Sequence, residues 1–225
     1  MRANPHLARV LLVSFGAAVA VDLVSLAAGF DPGHTVAKPL LMPLLAAHVG
    51  ARGGPGLLVA ALLFGWGGDT LLLFDADPAF LAGMASFAAG HACYLALFKS
   101  APRARGARLL GAYGIALLAT VTLLWPDLPA ELRLPVAGYS LLLTAMAYGS
   151  TRLGLVAGVG GALFLLSDTL IATGVADWPQ LPRPDFWIML TYAAAQFLLV
   201  KGVLGTLGAQ SAPGAAYGEK CSTPR

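Results

Sequence analysis

Two aspartates stand inside long apolar stretches of this chain. Asp69 lies in Leu57-Leu-Val-Ala-Ala-Leu-Leu-Phe-Gly-Trp-Gly-Gly-Asp-Thr-Leu-Leu-Leu, and Asp168 in Gly160-Gly-Ala-Leu-Phe-Leu-Leu-Ser-Asp-Thr-Leu-Ile-Ala. A carboxylate at the centre of a membrane helix costs about 2.5–3.5 kcal/mol on insertion scales, so it is kept where it has a polar partner or a chemical role. Two of them predict a polar site within the bilayer.

That the surroundings are a bilayer follows from composition. Of 225 residues, 58% are hydrophobic and 11% charged, where a soluble domain carries about 25% charged residues. Apolar runs near the ~20 residues that span a bilayer recur at about 8–29, 36–50, 56–74, 79–99, 107–125, 132–150, 153–175 and 184–206. They predict an all-α polytopic bundle of about eight transmembrane helices, one domain over residues 1–206. The second run carries Lys38, Pro39 and Pro43, which predict a kink or an entry through the outer headgroup layer. The first run, with Arg2 and Arg9 before it, continues past Asp22 to Gly29, longer than a signal-peptide core, and reads as a retained helix. The small, Gly/Pro-rich tail 207–225 reads as a disordered cytoplasmic segment, and its Cys221 is too far from Cys93 for a disulfide.

Charge orients the bundle. Arg2, Arg9, Arg52, Lys99, Arg103, Arg105, Arg108, Arg152 and Lys201 fall at one set of helix ends, with Lys220 and Arg225 in the tail. Asp31, Asp75, Asp77, Asp127, Glu131, Asp177 and Asp185 fall at the other, with only Arg133 and Arg183 against them. Under the positive-inside rule both termini are cytoplasmic. The net charge of +3 therefore reports topology and makes no case for nucleic acid.

Helical depth links the polar residues. At about 1.5 Å per residue, Asp69 lies roughly 9 Å and Asp168 roughly 12 Å below the outer ends of their helices, with Tyr192 near them, His91 closer to the midplane and Lys38 at the outer mouth. Phe87, His91, Tyr94 and Phe98 form one stripe of the fourth helix, and Tyr192 shares a face with Gln196. Asp22, about two turns from the outer interface, reads as solvated. Glycines before both aspartates predict close helix packing. The repeated string Asp-Thr-Leu at Asp69 and Asp168 hints at a parallel duplication.

Six blocks in order resemble the YhhN-like lysoplasmalogenases: Ala37-Lys-Pro-Leu-Leu-Met-Pro43, Gly68-Asp-Thr-Leu-Leu-Leu73, Phe87-Ala-Ala-Gly-His-Ala-Cys-Tyr94, Tyr139 with Met146, Gly161-Ala-Leu-Phe-Leu-Leu-Ser-Asp168 with Ala172, and Tyr192-Ala-Ala-Ala-Gln-Phe-Leu198. The segment after Ala172, Thr-Gly-Val-Ala-Asp-Trp-Pro, departs from that pattern in lacking a basic residue and a phenylalanine. The resemblance implies a membrane enzyme that hydrolyses the vinyl ether of a lysophospholipid substrate to a fatty aldehyde and a glycerophospho-base; the Ala/Gly/Leu/Arg-heavy composition suggests a bacterial source, and with it a bacterial inner membrane. It implies Asp69 and Asp168 as catalytic residues, with Lys38, His91, Tyr94, Tyr139, Ser167, Tyr192 and Gln196 at the substrate.

The chemistry suits such a site. A vinyl ether hydrolyses by protonation of its β-carbon and capture of the oxocarbenium ion by water. Two carboxyls sharing a low-dielectric pocket hold one proton between them, so one serves as acid and the other stabilises the cation and activates water. No cofactor or metal is needed, and no metal-ligand spacing, G-x-S-x-G elbow or phosphate-cradling loop occurs. A proton-coupled transporter of a small or lipid-like solute uses the same intramembrane carboxylates and is the alternative reading.

Overall fold

The computed structural model describes residues 3–99 and 106–211, with residues 207–211 described as helical backbone. Within them the chain forms α1 (Pro5–Ala28), α2 (Asp31–Ala51), α3 (Gly56–Leu71), α4 (Asp77–Phe98), α5 (Ala107–Leu124), α6 (Ala130–Ser150), α7 (Leu155–Val175) and α8 (Pro184–Ser211). A short 3-10 turn, Thr151–Leu153, joins α6 to α7. The fold is the helical membrane bundle that hydropathy predicts. By length and composition α1, α4, α5, α7 and α8 can cross a membrane, and α3 is apolar but only 16 residues long. His34, Lys38 and two internal prolines dilute α2, and Arg133 with Pro135 dilutes α6.

Among the boundaries that shift from the hydropathy reading, three stand out. Helix α2 begins at Asp31 rather than at residue 36, because Pro32 sits in the first turn, where no backbone donor is required, and Asp31 suits the positive helix end. Helix α3 stops at Leu71 although the apolar run continues through Leu73, which turns instead with Phe74 toward α4. Helix α8 runs on to Ser211, into the segment expected to be tail. The remainder of that tail, with Lys220, Cys221 and Arg225, lies outside the described residues, as do Arg2, Arg103 and Arg105.

Neighbouring helices pack as a ring: α1 on α2, α2 on α3, α3 on α4, α4 on α6, α6 on α7, α7 on α8, and α8 back on α1. Helix α5 stands outside that ring against α6 and α7, and of its own residues only Leu124 is buried. At one end Asn4 N–H donates to the Ala51 carbonyl at 2.8 Å, and Arg152 Nη1 to the Phe98 carbonyl at 3.4 Å. At the opposite end α2, α4, α6 and α8 each open with an acid in the first turn: Asp31, Asp77, Glu131 and Asp185. The two ends thus carry opposite charge.

Glycine sets the closest approaches. A Cβ on Gly160 would lie 2.9 Å from the Leu199 backbone nitrogen and 3.0 Å from the Ala195 carbonyl, so α7 and α8 meet backbone to backbone. Gly161 does the same against Ala147 of α6, at 2.9 Å. Gly154 serves the backbone instead, for with φ of 101° and open space around it, it breaks the chain between the 3-10 turn and α7.

Candidate active site

Asp69 lies in the last turn of α3, about 3 Å along the axis from Leu71, and is 3% exposed. Tyr192 of α8 donates its hydroxyl to Asp69 Oδ2 at 2.8 Å. Gln196, one turn further along α8, donates through Nε2 to the Tyr192 oxygen at 3.4 Å and accepts from Tyr94 of α4 through Oε1 at 2.7 Å. A relay of side chains therefore runs Tyr94, Gln196, Tyr192, Asp69. It needs a groove in α3, and Gly65 provides one: a Cβ there would lie 3.1 Å from the Tyr192 hydroxyl and 3.2 Å from Gln196 Nε2.

A second relay ends on Asp168. Tyr139 of α6 donates its hydroxyl to Asp168 Oδ2 of α7, and His91 Nε2 of α4 meets the same phenol oxygen at 3.1 Å. Both relays start one turn apart on α4, on the stripe of Phe87, His91, Tyr94 and Phe98, all four buried. Aromatic rings fill the space between them. Phe164 stands edge-on to His91 at 4.8 Å and to Tyr192 at 5.4 Å between ring centroids, and Phe87 contacts both Phe164 and Tyr192. Asp69 is close enough for its charge to bear on Asp168. Helix α7 passes through Asp168 without a break.

Asp168 opens onto a cleft. An apolar groove between α4, α5, α6 and α7 is lined by Phe80, Met84 and Phe87 on one wall and by Leu117 on another, with Tyr139 and Asp168 as its charged or aromatic polar groups. Ser140, Thr144, Thr120 and Thr169 add hydroxyls to an otherwise apolar surface. Such a lining suits a single aliphatic chain with one reactive polar position.

The other expected site residues fall elsewhere. Lys38, half-buried on α2, does not line the cleft; its charge bears on Asp69, together with those of Asp22 and His34. Ser167 is 1% exposed and donates to the Ile188 carbonyl at 3.0 Å, which ties α7 to α8. Asp22 is 1% exposed and not solvated: its Oδ1 lies 2.8 Å from His34 Nδ1. A sequence signal for that pair exists. Across the tight α1–α2 hairpin, closed by Gly29 with φ of 70°, residues at similar distance from the turn face each other. Among the described residues, no group of three or more His, Cys, Asp or Glu could hold a metal ion.

Comparison with known proteins gives the same blocks a wider frame. The YhhN family model matches residues 33–203, which contain both relays and the cleft. The chain is 37% identical over 153 residues to Lysoplasmalogenase TMEM86B of Homo sapiens, covering 66% of this chain and 63% of that protein. It is 36% identical over 179 residues to Lysoplasmalogenase TMEM86B of Rattus norvegicus, covering 79% of this chain and 72% of that protein. It is 32% identical over 157 residues to the Lysoplasmalogenase of Mycobacterium tuberculosis, covering 64% and 59%. The matched region thus spans less than two thirds of the human and mycobacterial relatives' length. No solved structure matches the chain. With the matched residues carrying Asp69, Asp168 and every side chain of the two relays, this chain belongs to the YhhN family.

Proposed function

We propose that this protein is a membrane-embedded hydrolase that cleaves the vinyl ether of lysoplasmalogens, releasing a fatty aldehyde and glycerophosphoethanolamine or glycerophosphocholine. The observation that carries the reading is a single carboxyl, Asp168, set by Tyr139 into the wall of an apolar cleft, with a second buried carboxyl acting on it through space. The naming of the relatives as lysoplasmalogenases supports the same reaction.

In this mechanism the alkenyl chain lies along the cleft. Asp168, protonated, delivers its proton to the β-carbon of the vinyl ether, and the C=C electron pair forms the new C–H bond. The adjacent carbon becomes an oxocarbenium centre, stabilised by the negative charge shared between Asp168 and Asp69. Water adds to that carbon and returns a proton to Asp168. The hemiacetal then collapses to aldehyde and alcohol. Tyr139 and Tyr192 hold the carboxyls in place. The protein sits in a bacterial inner membrane, with both termini and the basic helix ends on the cytoplasmic side.

Purified protein in detergent, given lysoplasmenylethanolamine, is expected to release fatty aldehyde. Transport of the lipid into vesicles without aldehyde would overturn the hydrolase reading.

A further inference from the structure

Among the described residues, two buried side-chain atoms have no hydrogen-bond partner in the protein: His91 Nδ1 and Thr144 Oγ1. A buried polar group left alone costs about 1–3 kcal/mol, so each marks a place where something polar belongs. His91 is not among the residues that line the cleft. Thr144 lines it, although the residue as a whole is only 6% exposed.

Thr144 also breaks a local rule. Thr70, Thr169 and Thr191 each return the hydroxyl to the carbonyl four residues back, at 2.8, 2.7 and 2.8 Å, the usual way a helix absorbs a threonine. Thr144 makes no such bond. Ser140, one turn earlier on α6, lines the same cleft, and side chains at that spacing stand about 5–6 Å apart. Two hydroxyls so placed can hold one water between them, each at hydrogen-bond length.

The reaction proposed above needs that water for a specific reason, and the inference rests on that reading. A lysoplasmalogen carries a free hydroxyl on the glycerol carbon next to the vinyl ether oxygen. Once the β-carbon is protonated, that hydroxyl can attack the oxocarbenium carbon itself: its oxygen forms the new C–O bond, its proton goes to the Asp168 carboxylate, and the product is a five-membered cyclic acetal. No water is consumed and no aldehyde forms. Well-oriented intramolecular attack has an effective molarity of about 10⁵–10⁸ M, far above any concentration of loose water. Hydrolysis therefore wins only if water is already in place.

We propose that Thr144 and Ser140 hold the hydrolytic water against the cleft and so steer the cation to aldehyde instead of cyclic acetal. The test is the product ratio from lysoplasmenylethanolamine with full-length protein in detergent, read by mass spectrometry. Thr144→Val is expected to lower aldehyde release about tenfold or more and to produce cyclic acetal, while Thr144→Ser, which keeps the hydroxyl, keeps aldehyde as the product. The ratio does not depend on how much of a variant folds, and Thr144→Ala and Ser140→Ala give the same readout. Slower turnover with aldehyde still the sole product would reduce Thr144 to a structural role and overturn the inference, as would an unchanged rate. Wild type that forms neither product would overturn the hydrolase reading itself.

Discussion

The Tyr192 hydroxyl donates to Asp69 Oδ2 at 2.8 Å, joining α8 to α3 across 123 positions of sequence. A buried carboxylate is held in place by such a donor. Tyr192→Phe removes one hydrogen bond from a buried charge, a loss of about 1.5–3 kcal/mol. Aldehyde release is expected to fall about tenfold or more, with the protein still monodisperse in detergent. Full activity in this variant would show that Asp69 is positioned by other contacts.

Asp168→Asn keeps the shape of the side chain at the cleft and removes its acid. Loss of a general acid or base costs about 10²–10⁴-fold, and kcat is expected to fall by that much. Asp69→Asn tests the second carboxyl, and a similar fall is expected. More than about a tenth of wild-type turnover in either variant would exclude that residue from the chemistry.

Sequence alone puts Lys38 at the outer mouth and at the substrate, where a cation would meet the lipid phosphate, yet its charge falls on Asp69 and it is not among the residues that line the cleft. Lys38→Met should then lower kcat and kcat/KM together, the signature of an interaction made in the transition state. A raised KM with kcat unchanged would return Lys38 to the headgroup.

Isotopes follow each atom of the mechanism. In deuterated water, deuterium is expected on the aldehyde carbon next to the carbonyl, because the proposed mechanism delivers a carboxyl proton there. In H₂¹⁸O, the label is expected in the aldehyde and absent from the glycerol hydroxyl, at reaction times short enough to limit carbonyl exchange. Label in the glycerol would place the bond cleavage elsewhere and sink the protonation route.

Gly160→Ala places a methyl group 2.9 Å from the Leu199 backbone nitrogen, where no side chain can yield. Overpacking of this kind costs about 1–3 kcal/mol. A lower midpoint of thermal unfolding in detergent is expected, and an unchanged midpoint would mean that α7 and α8 can separate freely.

The helices are legible because apolar runs and charged breaks alternate in register with bilayer thickness, and Asp69 with Asp168 stand out by the cost of putting them there. The α4 stripe and the Tyr192–Gln196 face are legible by period alone. What hydropathy does not give is the point at which an apolar run stops being a helix. Leu72 and Leu73 look like more of α3, so Asp69 reads as deeper than the last turn it occupies. Asp22 looks solvated for a related reason: depth along a helix says nothing about what faces it, and His34 comes from the opposite arm of the hairpin. Thr144 is invisible in sequence because a threonine that satisfies itself on its own helix and one that does not are the same letter.

Helix α5 buries little against the rest, yet Leu117 and Thr120 close one side of the cleft. That makes the outer wall a single, loosely seated rod facing the lipid. A detergent-like molecule with one chain can slip past such a rod sideways, straight from the leaflet in which it is dissolved, and an apolar aldehyde can leave by the same side. Traffic through this protein would then run in the plane of the membrane, so its apparent affinity should follow the mole fraction of substrate in the surrounding lipid or micelle more closely than its bulk concentration.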